Sequence, residues 1–191
     1  MSLVLLISGP AGVGKTTICT RLLDEFGNQL SRVITTTTRK PREGELNGKD
    51  YYFKKPEEFR QLLQEDAFLE HEIIHGNYYG TTKREVFSSI RESKDILINI
   101  DVKGAKSLYQ GIEKNYEFSA TLVSIFLKPM DLNVLKQRLI QRGSDNPDDI
   151  ERRIETAKSE LLFEDDFDHK IISNDRDRDY NLVRKIYLNK I

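Results

Sequence analysis

Residues 9–16 read Gly9-Pro10-Ala11-Gly12-Val13-Gly14-Lys15-Thr16. Glycines at this spacing let successive main-chain N–H groups curl around an anion, and a helix starting at the end of the run adds the positive end of its dipole. Lys15 brings a point charge for the β- and γ-phosphates, and Thr16 a hydroxyl for Mg2+. The stretch Gly9 to Thr17 is therefore the expected seat of a nucleoside triphosphate. A base-reading Asn-Lys-x-Asp element of the GTPase kind is missing, because Asn47-Gly48-Lys49-Asp50 has the wrong order. The acceptor of the phosphoryl group must be sought elsewhere in the chain.

The next chemistry-bearing run is basic. Residues 32–55 hold seven bases and three acids, with Arg39 and Arg42 three apart and braced by Pro41. With the phenols of Tyr51 and Tyr79, two such guanidiniums can grip one phosphate monoester through charge-assisted hydrogen bonds. Taken alone, the same residues also suit a solvent-facing basic loop. Glu70 ends the apolar pair Phe68-Leu69. A carboxylate there accepts two adjacent donors, which guanine presents on its pairing edge and adenine does not, although an isolated Glu70 also fits an ordinary surface acid. Asp101 closes the run Asp95-Ile96-Leu97-Ile98-Asn99-Ile100-Asp101, an acid at the carboxyl end of a buried strand, where α/β sheets bind ligands. It is assigned to the Mg2+ water shell or to the acceptor side.

The elements that must hold these groups alternate apolar runs with amphipathic stretches, the pattern of βαβ units and a mainly parallel sheet. Leu3–Ile7, a short strand beginning at Val33-Ile34, Ile96–Ile100, Leu122–Leu127 and Ile171-Ile172 read as strands. Thr16–Phe26 reads as a helix, with Ile18, Leu22, Leu23 and Phe26 at helical spacing. Pro56 and Pro147 stand at first helical positions, with acids in the following turn. Asn146 is the expected cap of a helix running to about Phe163, and Asp131 of one ending near Arg142-Gly143. Between Tyr51 and Gly80 the pattern shifts to short aromatic runs, the mark of an insert with its own small, antiparallel sheet.

Across Thr35-Thr36-Thr37-Thr38-Arg39-Lys40-Pro41-Arg42, Gly44-Glu45, Asn47-Gly48-Lys49-Asp50-Tyr51, Phe68-Leu69-Glu70 and Gly76-Asn77-Tyr78-Tyr79-Gly80-Thr81, the chain resembles the guanylate kinase family. The resemblance spans almost the whole sequence and includes the phosphate loop. It implies a P-loop NTPase three-layer α/β fold, with a central parallel sheet, a small mixed or antiparallel GMP-binding insert (about 34–81) and a helical lid (about 138–164). The core would take about 1–33, 82–137 and 165–191 of one domain. It further implies Mg2+-dependent transfer of the γ-phosphoryl group of ATP to GMP, and to dGMP.

By resemblance Thr35 and Thr81 complete base recognition beside Glu70. Arg39, Arg42, Tyr51 and Tyr79 hold the GMP phosphate, with Asp101 on the same side. Arg142 and Arg153 are lid arginines that reach the transferring group, Arg138 belongs to the ATP side, and Asn174 matches a position near the adenine. With Lys15, Arg39 and Asp101, the lid pair forms the expected catalytic set. Arg152 is expected to pair with Asp148, Asp149 or Glu151 instead. The chain departs from the usual pattern at Asn99, where the family has aspartate; an amide can hydrogen-bond there but brings no charge. A kinase acting on a phosphorylated ribose and a non-catalytic scaffold module are the alternatives, the second opposed by the intact loop.

The composition frames these readings. Thirty basic and thirty-one acidic side chains give a net charge of -1, which argues against a nucleic-acid partner. No apolar run approaches the roughly 18 residues of a membrane span, and no basic region precedes the first apolar run as in a leader. The single cysteine, Cys19, cannot form an internal disulfide. His71, His75 and His169 lack metal-ligand spacing. A cytoplasmic monomer or small homo-oligomer is expected.

Overall fold

A computed structural model describes residues 2–74, 76–113, 120–143 and 146–189. His75 and the Arg142 side chain lie outside that description. In chain order the elements are β1 (Leu3–Ser8), α1 (Lys15–Phe26), β2 (Leu30–Arg32), β3 (Thr36–Thr37), β4 (Tyr52–Phe53), α2 (Pro56–Gln64), β5 (Phe68–Ile74) and β6 (Asn77–Thr82). They continue as α3 (Lys83–Arg91), β7 (Asp95–Asn99), α4 (Val102–Glu113), β8 (Thr121–Pro129), α5 (Leu132–Arg142), α6 (Pro147–Leu161), β9 (His169–Ser173) and α7 (Arg176–Leu188).

Five strands form an all-parallel sheet in the order β2-β7-β1-β8-β9. The period-2 alternation of β1 divides the core between its faces. Leu3, Leu5 and Ile7 pack with Leu22 of α1 and Val183 and Tyr187 of α7, whereas Val4 and Leu6 pack with Val86 of α3 and Ala105 and Leu108 of α4. Helices on both faces explain why β1 is apolar from Leu3 to Ile7. Cys19 is in the first of these layers, 3% exposed. Burial lifts its thiol to about 12 against the pull of Arg32 and Lys15.

A second, four-stranded sheet has the order β4-β3-β6-β5. It is mixed: β3 pairs with β4 in parallel, while β3 with β6 and β6 with β5 are antiparallel. Of the mixed and antiparallel arrangements expected for the insert, the sheet is the mixed one. The long loop from Thr38 to Tyr51 returns the chain to the starting end of β3 before β4 begins, so the two strands run the same way.

Two strand assignments also change. The second strand is Leu30–Arg32, upstream of Val33-Ile34, because its register against β7 begins at Leu30 opposite Asp95. Val33 keeps a hydrogen bond to the Leu97 carbonyl before the chain leaves the sheet. Strand β7 stops at Asn99, since Asp101 turns the chain into α4. Its Oδ1 accepts the Gly104 N–H at 2.8 Å, an N-terminal cap. The caps at Asn146 and Asp131 are present, each accepting a first-turn N–H (from Asp149 at 2.8 Å and Asn133 at 2.7 Å). Helix α6 ends at Leu161, and a 3-10 turn over Glu164–Asp166 follows. Among the described residues no helix is long and apolar enough to cross a membrane.

Candidate active site

Strand β1 is central; the chain leaves it for β2 on one side and leaves its neighbour β8 for β9 on the other, and this reversal opens a crevice at the strands' carboxyl ends. A cleft of about 760 Å3 occupies it. Its walls come from the phosphate loop, the loop before Tyr51, strands β5 and β6, the end of β7, and helices α5 and α6.

The phosphate loop needs its glycines for stated reasons. Gly9 has φ +129°, and a Cβ there would sit 2.2 Å from the Leu127 carbonyl oxygen of β8. Gly12 and Gly14 also take positive φ, +87° and +116°. Lys15 Nζ donates to the Pro10 carbonyl at 3.0 Å and to that of Gly9, which holds the ammonium inside the curl. Arg138 of α5 donates to the Val13 carbonyl at 3.2 Å, and Ser173 Oγ donates to the same oxygen at 2.9 Å. Ala11 through Thr17 line the cleft, with Gly9 and Pro10 behind them. Asn99 Nδ2 lies 3.5 Å from Thr16 Oγ1, so the residue that departs from the family pattern stands directly beside the hydroxyl assigned to Mg2+.

On the facing wall, the threonine run stitches the basic loop to β6. Thr37 Oγ1 donates to the Tyr78 carbonyl and accepts the Arg39 N–H, while Thr38 Oγ1 accepts the Tyr78 N–H. Arg39 lies over the Tyr51 ring, its guanidinium carbon 5.2 Å from the centroid, and donates to Glu45 Oε1 at 2.9 Å. The other Glu45 oxygen accepts the Arg42 N–H at 2.7 Å. Burial works against the Glu45 charge, but Arg39 and the Arg42 N–H outweigh it and hold the carboxyl below its usual range. Tyr51 and Tyr79 stand edge to face with centroids 6.2 Å apart. Asn47 Oδ1 accepts the Phe53 N–H, and Asp50 Oδ2 the Leu46 N–H. The Asn-Gly-Lys-Asp stretch is thus a folded turn that delivers Tyr51.

Glu70 is 5% exposed and sits opposite Thr81 in the β5–β6 register. Burial raises its carboxyl to about 8, helped by the charges of Asp101 and Glu72; the Thr81 hydroxyl and N–H pull the other way. That hydroxyl falls short of hydrogen-bond geometry, for Glu70 Oε1 and Thr81 Oγ1 are both buried without a partner among the described residues. Two unsatisfied acceptor-capable atoms side by side are costly unless a ligand completes them. Thr35 lines the same cleft, and Thr81 lies behind it.

Asp101 is raised by burial and by Glu72, while the Gly104 N–H and Lys15 oppose the shift. Helix α6 turns Arg153, Thr156 and Glu160 to the cleft, three and four residues apart on one face. Glu160 is 8% exposed. Burial and then Asp101 lift it to about 7 against Lys15, Lys103 and the Val102 N–H. Arg152 points away and pairs with Asp149. Asn174 is exposed and is not among the cleft residues, which in its neighbourhood are Ser173, Arg176 and Asp179.

The cleft therefore gathers Lys15, Thr16, Arg39, Arg42, Tyr51, Glu70, Tyr79, Asp101, Arg138 and Arg153. Sequence reasoning passed over Glu45, Glu72, Glu160 and Ser173. The usable signals were an acid inside a basic loop, period-2 pairing with Glu70, and a seven-residue spacing from Arg153. Ser173 gave none.

Comparison with known proteins agrees with this geometry. The family model described as guanylate kinase matches residues 1–189. A guanylate kinase of Caldanaerobacter subterraneus subsp. tengcongensis is 36% identical over 97% of this chain and 86% of its own. One of Rickettsia bellii is 40% identical over 91% and 86%. The crystal structure of guanylate kinase from Anaplasma phagocytophilum superposes with a TM-score of 0.76 at 25% identity, covering 99% of this chain and 86% of that one.

Proposed function

This chain belongs to the guanylate kinase family, and from that premise we propose how its cleft carries out ATP:GMP phosphotransfer. The donor triphosphate rests on the N–H groups of residues 11–16, with Lys15 and Arg138 beside it. The acceptor phosphate is gripped by Arg39, Arg42, Tyr51 and Tyr79. Glu45 holds Arg39 and the Arg42 main chain in readiness, so the grip is preorganised and loses less on binding. Glu70, with Thr35 and Thr81, takes the guanine edge, and Asp101 faces it from the cap of α4.

Phosphoryl transfer asks little covalent chemistry of the protein; alignment and positive charge do most of the work. The cations Lys15, Arg39, Arg138 and Arg153 converge on one cleft, as that mechanism requires, and the family resemblance adds Arg142 to them. The segment 138–164 then acts as a lid and 34–81 as the GMP-binding insert on a core of the remaining residues. Closure of the lid over both nucleotides excludes water, which would otherwise compete with GMP as acceptor.

Mg2+ fits this donor set. No group of three or more His, Cys, Asp or Glu side chains among the described residues could hold a metal. The hydroxyl of Thr16, the Asn99 amide beside it and Asp101 suit an ion that keeps its waters and binds mainly through substrate phosphates. Bound there, Mg2+ would neutralise charge on the β- and γ-oxygens.

The reading is carried by one observation: a buried carboxyl at Glu70, with one oxygen lacking a partner among the described residues, shares a cleft with the phosphate loop and the Arg39–Arg42 pair. We place the enzyme in the cytoplasm as a monomer or small homo-oligomer. Steady-state turnover of GMP, dGMP, AMP, CMP, UMP and ribosyl phosphates with Mg·ATP tests it, and GMP and dGMP are expected to dominate. Equal turnover of AMP, or a preference for a ribosyl phosphate, would overturn the assignment of the acceptor site.

A further inference from the structure

Helix α4 starts at the cleft and ends against the strand that carries Glu70. Its cap, Asp101, lines the cleft. Two turns along, the Ser107 hydroxyl donates to Glu72 Oε1 on β5. One turn further, Gly111 meets the main chain of β5: a Cβ on Gly111 would lie 2.0 Å from the Leu69 carbonyl oxygen and 3.1 Å from its carbon. Ser107 and Gly111 are four apart and share a helix face. Leu69 is buried in the same cluster as Val102, Ala105 and Leu108. The residue before Glu70 is therefore pressed on by the helix backbone, and the residue two after it is hydrogen-bonded to the same helix. Neither Ser107 nor Gly111 lines the cleft.

We propose that Ser107 and Gly111 are positioning residues for guanine selection, fixing the Glu70 carboxylate against Asp101 through contacts that touch no nucleotide. The inference rests on Glu70 being the base-reading group. A carboxylate that must accept two parallel N–H donors tolerates only about 0.5 Å and 10–20° of misplacement. Glycine at 111 is what allows helix and strand to approach so closely. The bond to Ser107 holds the strand on the other side of Glu70 and ties down the neighbouring Glu72 carboxylate.

The test compares GMP with inosine monophosphate, which lacks the exocyclic amine, in the full-length enzyme. The variants are Gly111→Ala, Ser107→Ala, Ser107→Thr and Glu70→Gln. A merely structural role lowers the active fraction and scales both substrates equally, leaving their ratio unchanged. On the proposal, Gly111→Ala lowers kcat/KM for GMP by on the order of 10²-fold, the cost of a misplacement of about 1 Å. It leaves inosine monophosphate much less affected and KM for ATP unchanged. Ser107→Ala moves the ratio in the same direction by less, and Ser107→Thr, which keeps the hydroxyl, restores it. If Glu70→Gln collapses the ratio while Ser107→Ala and Gly111→Ala preserve it, the proposal is wrong and the base-reading assignment stands. If Glu70→Gln itself preserves the ratio, the base-reading assignment falls and the proposal with it. Should Gly111→Ala fail to fold, Ser107→Ala decides alone.

Discussion

Burial of Glu70 makes GMP binding a proton-coupled event. In the free protein its carboxyl ionises near about 8, raised chiefly by loss of solvent. Guanine offers two donors on its pairing edge, so the bound state requires the ionised carboxylate. At pH 7 the carboxyl must give up its proton on binding, which costs about 1.4 kcal/mol, or a factor of about ten, at 1.36 kcal/mol per unit. The sign follows directly: below pH 8 affinity for GMP rises about tenfold per pH unit and then levels off. Isothermal titration calorimetry from pH 6.5 to 9, repeated in buffers of different ionisation enthalpy, reads both the slope and the released proton.

Stability moves the opposite way. Because the folded value lies above the 4.5 of a free glutamate, the folded state holds the extra proton between about pH 4.5 and 8. The stabilisation it confers is complete below 4.5 and lost as pH rises through 8, a span worth about 5 kcal/mol at most. Glu70→Gln should therefore abolish the slope in GMP affinity and raise Tm at pH 8. A Kd for GMP that is flat across the range, with no buffer dependence in the enthalpy, would refute the reasoning.

Three further outcomes are expected. Replacing both Arg39 and Arg42 by alanine removes two charge-assisted grips of about 1.5–3 kcal/mol each, so kcat/KM for GMP should fall by roughly 10²–10⁴ with the Kd for ATP unchanged; a loss shared equally by ATP binding would contradict the two-site reading. Gly9→Ala must strain the loop, since its Cβ would lie 2.2 Å from the Leu127 oxygen at φ +129°; a cost of at least about 1–3 kcal/mol should lower Tm by about 2–4 °C per kcal/mol, as read by calorimetry. Asn99→Asp places a charge beside the Thr16 hydroxyl and should lower the Mg2+ concentration for half-maximal rate by about tenfold, the weak end of a charge-assisted bond; an unchanged requirement would remove Asn99 from the metal's surroundings.

The parts legible in the sequence were those written locally. The glycine spacing of residues 9–16, the proline and acids at the start of α6, and the caps Asn146 and Asp131 are short-range patterns whose physics does not depend on the rest of the fold. The strands β3 and β4, two residues each, are too short to show a period. Their parallel pairing depends on a long return loop that no window of residues displays. Strand β2 was displaced by a few residues because its limits are set by partners on β7. Glu45 looked like one acid among bases until Arg39 closed on it. Glu72 meets Ser107 across 35 positions of chain, and that pairing exists only after α4 has packed on β5. The Asn99 departure was visible, but its position against Thr16 was not.

The burial of Cys19 has a practical consequence. A single thiol on the buried face of α1, with its ionisation pushed up to about 12, is a poor nucleophile at neutral pH, so maleimide dyes should pass it by. Cysteines introduced at exposed sites such as Glu57 on the insert and Glu151 on α6 could then carry a fluorophore pair without first removing the native one. Energy transfer between them would follow the approach of the two arms during single turnovers.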